Sequence, residues 1–418
     1  LNITNNEDDQ SFFVVDTQAD TDINVAGITT ISGGGATGTN ATLTVSGTST
    51  FTGGVTLNDG VGSAQIIYDG STGGQTINSS IRGIVGGEGS LIIRNTNGVT
   101  INTAVGAGGN ELRDMTLETG GDVTADAAVN ATDINIGTLS ELEANAAING
   151  DVNFTGDGRF ELGDNVDFGH SVDNLTGTDG AGTLTSASAG ASTSVVTGPV
   201  GATNSLSSIT LFSDGTFQFD STVNADTITA NLSGGTFDFN DDVTGNINLV
   251  NDATVDLTAG GVDIDGAIDN TSGSSGRGIL LLGVGGDSDI TGNIGASNSL
   301  GSITLSDTGT DVFGGTVNAD NINFTGTSNA VFNDDVTSVV GGIDFNNNSG
   351  TIEFADNADL NGPILSTGGT NGIITFQGTS NVTGNLGTTS STGFNTLNIN
   401  GAGDTVTLNS TIHGSDVN

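Results

Sequence analysis

Short runs in which apolar and polar residues alternate recur along the chain. Ser208–Leu211 reads SITL, Thr216–Phe219 TFQF, Thr236–Phe239 TFDF, Asn246–Leu249 NINL, Thr254–Leu257 TVDL and Gly261–Asp265 GVDID. Their apolar members stand at i and i+2, which in an extended chain sends them all to one side. Each run predicts a strand with one buried and one solvated face. Gly, Asn and Asp separate the runs and supply turns and left-handed backbone. Good helix formers are scarce, whereas Thr, Val, Ile and Phe suit pleated sheet. The expected fold class is all-β.

A longer period organises these runs. Thr197–Leu211 (TGPVGATNSLSSITL) recurs as Thr291–Leu305 (TGNIGASNSLGSITL), 94 residues on. The apolar set Leu206, Ile209, Leu211 recurs at Leu300, Ile303, Leu305 and at Phe394, Leu397, Ile399. One step back it falls on Leu112, Met115, Leu117. Val223-Asn224-Ala225 with Ile228 likewise matches Val129-Asn130-Ala131 with Ile134, and Val317-Asn318-Ala319 with Ile322. FNDDVT occurs at Phe239–Thr244 and at Phe332–Thr337.

A fixed period of this kind marks a repeat architecture. Strands so short, so regular and so poor in aromatics predict an elongated parallel β-helix, a β-solenoid whose coils stack about 4.8 Å apart. Coils of roughly 19 residues place about five turns in each 94-residue repeat. The chain would then form about 22 turns and a rod on the order of 100 Å long. Residues 1–100 follow the repeat loosely and are expected to form a divergent capping or assembly segment. Residues 101–418 would form one continuous rod of about three and a half repeats.

Composition narrows the function. The 418 residues carry 5 basic side chains, all arginine, against 48 acidic ones, a net charge of −43. Cysteine is absent, which excludes disulfides, zinc–thiolate sites and cysteine nucleophiles. Phosphate binding needs clustered cations, so nucleic acid is not an expected partner. No apolar run approaches the 18 residues or so of a membrane helix. On a rod of the expected length, the net charge would amount to about one per 2.5 Å, within a factor of two of duplex DNA.

Such a surface attracts counterions. Asp263 and Asp265 share one strand face, and Asp241-Asp242 and Asp334-Asp335 recur in turns. Oxygen ligands of this type suit Ca²⁺, and these six carboxylates are the candidate metal ligands. Read without a metal, they are turn formers on a solubilising surface. His170 and His413 lie outside any metal-ligand spacing, and no GxSxG elbow or Walker loop is present. Solenoid enzymes acting on polysaccharides need paired carboxylates with a base or arginine and aromatic platforms for sugar rings. Tyr68 is the only tyrosine and tryptophan is absent. Arg277, in Gly276-Arg277-Gly278, has no counterpart in the other copies. The expectation is a protein without catalytic residues or a cofactor beyond Ca²⁺.

The segments TGNIGASNSLGSITL, TVNADNINFTGTSNAVFNDDVT and IDNTSGSSGRGILLLG, in a chain free of cysteine and lysine, resemble β-strand-repeat passengers of bacterial surface proteins. These include autotransporter adhesins of the outer-membrane-protein-A type and filamentous-haemagglutinin-like exoproteins. The likeness covers about residues 100 to 418. It implies a secreted protein at the cell surface of a bacterium, of the Gram-negative kind. Two roles compete: a structural filament, matrix or surface-layer subunit, and an adhesin that binds a host or neighbouring cell. A coil left open presents an unpaired sheet edge. Thr411 and Ile412 at the C-terminal end, and Phe12, Phe13, Val14 and Val15 near the other, are the candidates for end-to-end pairing between copies.

Overall fold

The computed structural model describes the chain except for residues 1, 6–10, 16–22, 26, 34–39, 47–48, 52, 61, 71–72, 187–191, 213, 232–233, 258, 284–285, 307, 390–392, 401–402, 404 and 410. Among the described residues there is no helix, and the coils amount to about 16 turns of parallel β-solenoid. They pack as two units. The first is Leu1–Ala187 with Thr193–Ile209, and the second is Ser188–Ser192 with Thr210–Asn418.

In the second unit each coil contributes a strand or a single bridging residue to three ladders. The first face stacks Val223, Val243, Ile264, Ile290, Phe313, Phe332, Phe354 and Phe376. The second stacks Ile228, Ile247, Ile268, Ile294, Val317, Val336, Leu360 and Val382. The third stacks Phe237, Val255, Leu280, Ile303, Ile322, Ile343 and Ile364. Every one of these residues is buried. The alternation read from sequence is the cause: Thr216–Phe219, Thr236–Phe239 and Thr254–Leu257 each place residues two and four inside and one and three at the surface. Burying a side chain of this size stabilises by roughly 1.5–3 kcal/mol before conformational entropy is counted. Phenylalanines in register add ring stacking, with centroids 5.0 Å apart for Phe313–Phe332, 5.5 Å for Phe332–Phe354 and 4.9 Å for Phe354–Phe376.

The first unit repeats the plan with aliphatic rungs. Leu43, Ile66, Leu91, Met115, Ile134, Val152 and Val172 form one ladder. Val99, Val123, Leu142, Phe160 and Leu184 form another. Val55, Ile81, Val105, Val129 and Ile148 mark the third.

The coils are not uniform, which corrects the expected 19-residue coil and 22 turns. Eighteen residues separate Leu142 from Phe160 above it, but 26 separate Ile268 from Ile294. The longer coils carry loops organised by a buried asparagine. Asn270 is wholly buried; its Oδ1 accepts the Ser272 N–H, and its Nδ2 donates to the carbonyls of Ser274 and Ser299. Asn174 does the same with Thr176, Thr178 and Ser205 in the first unit. A buried amide must be satisfied, and here it replaces the ladder bonds that a loop interrupts. The short coils turn a corner inside one strand. Val223–Ala230 shifts register against Val243–Leu249 between Asn224 and Thr227. Opposite the shift lies Gly245 at φ 142, where a Cβ would come within 1.9 Å of the Ala225 carbonyl oxygen. Only glycine fits there.

Candidate functional surface

With the inward face filled by the ladders, the chemistry lies on the corners and outer faces. The corner aspartates act as staples. Asp242 Oδ1 accepts the N–H of Asp263 one coil on (3.0 Å), and Asp263 Oδ1 accepts that of Asp289 (2.9 Å). Asp335 Oδ1 accepts the N–H of Asp359 (2.9 Å), and Asp359 Oδ1 that of Asn381 (2.7 Å). Asp173 and Asp179 do likewise for Thr203 and Ser205 in the first unit. A turn leaves backbone N–H groups without ladder partners, and these must be paired. A short, charged acceptor one coil below meets that need, and hydrogen bonds to an ionised group are the stronger kind. This explains why the acids are mostly Asp.

Each candidate metal ligand has a place in this scheme. Asp241 and Asp334 accept the N–H of the residue that follows, each at 2.8 Å. Asp265 accepts the Thr291 hydroxyl at 2.9 Å. Asp242 and Asp263 are brought together on successive coils, and Asp335 heads a separate column. Among the described residues, no three His, Asp or Glu side chains gather as a metal site. The carboxylates still repel one another. Burial, then neighbouring Asp263 and Asp287, raises the Asp289 carboxyl above its ordinary range. Burial, then Asp256 and Asp220, does the same to Asp238.

The first unit carries a feature that sequence reading missed. A polar groove of about 500 Å³ crosses four coils, lined by Thr76, Thr100, Asp122, Thr124, Glu141 and Glu143 among others. At its end Arg159 pairs with Glu141 and, at 2.8 Å, with Glu161. Burial first, then Glu141, raises the Asp122 carboxyl, against a lowering by Arg159. Glu161 is raised by burial, with Arg159 opposing. Arg113 bridges Asp59 (2.5 Å) and Asp114 (2.9 Å), and Arg94 meets Glu118 at 2.7 Å. Partners such as Arg94 and Glu118 lie 24 residues apart, so only the coil lengths could have revealed them.

Arg277 pairs at the surface with Asp252 (2.7 Å). His170 packs its ring against Phe168, with Nδ1 3.9 Å from Asp151. His413 donates its N–H to the Leu386 carbonyl. Thr411 and Ile412 lie exposed on the last coil, where Ile412 pairs with Leu386. Phe12 to Val15 form a strand parallel to Ala41–Val45; their side chains lie outside the described residues.

Comparison with known proteins places this surface in context. A curated protein, the outer membrane protein A of Rickettsia rickettsii, is 34% identical over 222 residues, covering 52% of this chain and 8% of that protein. The chain thus matches less than a tenth of the relative's length. No protein-family model matches the chain, and no solved structure does.

Proposed function

We propose that the chain is a non-enzymatic part of a bacterial surface protein, exported to the cell exterior, whose task is to be a stable, hydrated solenoid. The observation that carries this is the fate of its side chains. Apolar groups fill the ladders, and Asp and Asn side chains hold the next coil's backbone. The likeness to a bacterial outer membrane protein supports the surface location.

The finer reading is a filament, matrix or surface-layer subunit that pairs end to end with copies of itself. The parallel ladders support it, since each coil pairs its edges with the coil on either side and a second copy could continue that pairing. Electron microscopy of the purified protein tests this. Fibres that vanish on deletion of residues 1–15, with the β-sheet signal kept, are the expected result. Isolated particles at high concentration would instead favour the second reading, an adhesin that binds a host or neighbouring cell. Divalent cations enter as counterions to the Asp columns. Chelation at low ionic strength lowers the melting midpoint if Ca²⁺ bridges them, and an unchanged melt removes Ca²⁺ from the reading.

A further inference from the structure

The 94-residue sequence repeat and the coil are out of step. In the second unit Val223 heads the first face, and four rungs above it on that face is Phe313. Its sequence counterpart Val317 lies on the second face, in the ladder of Ile228, Ile268 and Ile294. Ile228 is on the second face, yet its counterpart Ile322 is on the third, beside Ile303. Ile303 is on the third face, and its counterpart Leu397 returns to the first, paired with Ile374. Each step of one repeat advances by one face in the same direction.

We infer that the repeat is a screw of four and one-third turns, so that any surface encoded in it is presented on three faces in rotation. The structure explains how this is tolerated. All three faces hold the same kind of rung, a buried Val, Ile, Leu or Phe, so one sequence fits any of them. The consequence concerns partners. A ligand lying along one face meets the same repeat-encoded residues only at every third repeat. One that reads a single repeat finds its site pointing in three directions. This holds whether the surface role is structural or adhesive.

The absence of cysteine makes the test direct. Gln218 and Asn323 both face outward on the third face, linked rung by rung through Asp238, Asp256, Leu281 and Thr304. Nitroxide labels on Gln218→Cys and Asn323→Cys should be about 24 Å apart across five rungs. Removing residues 230–314 takes out four whole turns and sets Asn323 in the place of Asp238, one rung from Gln218, where spin exchange broadens the spectrum. Removing residues 224–317, one repeat, sets Asn323 in the place of Thr229 on another face. The expected result is a cooperative melt without exchange broadening. Broadening in the one-repeat deletion overturns the screw. Should either deletion fail to fold, distances in the full-length chain decide: Gln218→Cys with Asn323→Cys, on one face, must read about 24 Å, and Thr229→Cys with Asn323→Cys, on different faces, must read longer although fewer rungs separate them. A Thr229–Asn323 distance shorter than the Gln218–Asn323 distance overturns the screw.

Discussion

Four of the five arginines lie in the first unit, and 12 of the 18 phenylalanines lie in the second. Acidic residues divide evenly, 24 to each, so the units differ little in net charge and differ in how they manage it. In the first unit, arginines reach across coils to Glu and Asp, and seven of the eight glutamates are found there. In the second, corner carboxylates accept backbone N–H groups of the next coil, as Asp173 and Asp179 also do in the first, and stacked rings reinforce the core. Pairing an exposed charge contributes little, whereas burying an aromatic ring contributes several kcal/mol. The comparison teaches that one coil plan can rest on either device, and that the second unit relies on the stronger.

The largest effect should come from breaking the ring column. Phe354→Ala is expected to cost about 3–5 kcal/mol, read by urea unfolding, with hydrogen-exchange protection lost first around Phe332 and Phe376. A result below 1 kcal/mol would mean that the stack is ornamental. Next, Gly245→Ala in the second unit and Gly150→Ala in the first should each cost roughly 1–3 kcal/mol, because each sets a Cβ against a carbonyl oxygen of the coil below. Equal losses would show that the corner device is common to both units.

A staple is worth less. Asp242→Ala leaves the Asp263 N–H without its acceptor and should cost about 1–2 kcal/mol, with Asp242→Asn retaining most of the stability. Acid should act in the unexpected direction. Asp238 and Asp289 have folded pKa values raised by burial and by neighbouring aspartates, so between the unfolded and folded values the folded chain binds more protons. Stability therefore rises as the pH falls from neutral through the folded pKa, and levels off near the ordinary carboxylate value of about 4. A melting series should show this rise, diminished in Asp238→Asn. The smallest effect belongs to Arg94→Gln. Its partner Glu118 and the arginine are both more than 40% exposed, so the loss should be below about 1 kcal/mol and should vanish in 1 M salt.

Much of the fold was legible because its cause is local. The alternation in Thr236–Phe239 dictates which side is inside, wherever the strand sits. Coil length was not legible, because it depends on loops such as those built on Asn174 and Asn270. In sequence these are two Asn residues in a chain rich in Asn, and burial alone distinguishes them. The corner aspartates were recognised as a recurrent set, but their partners lie 21 to 26 residues away in Asp263 and Asp289. The groove beside Arg159 stayed hidden for the same reason.

The mismatch between repeat and coil has a genetic consequence. Tandem segments of related sequence can be gained or lost by unequal recombination, one copy at a time. Such an event preserves the interior, since each side chain lands in an equivalent slot. It also re-aims everything encoded downstream by a third of a revolution. The outward face would thereby change without a single point mutation.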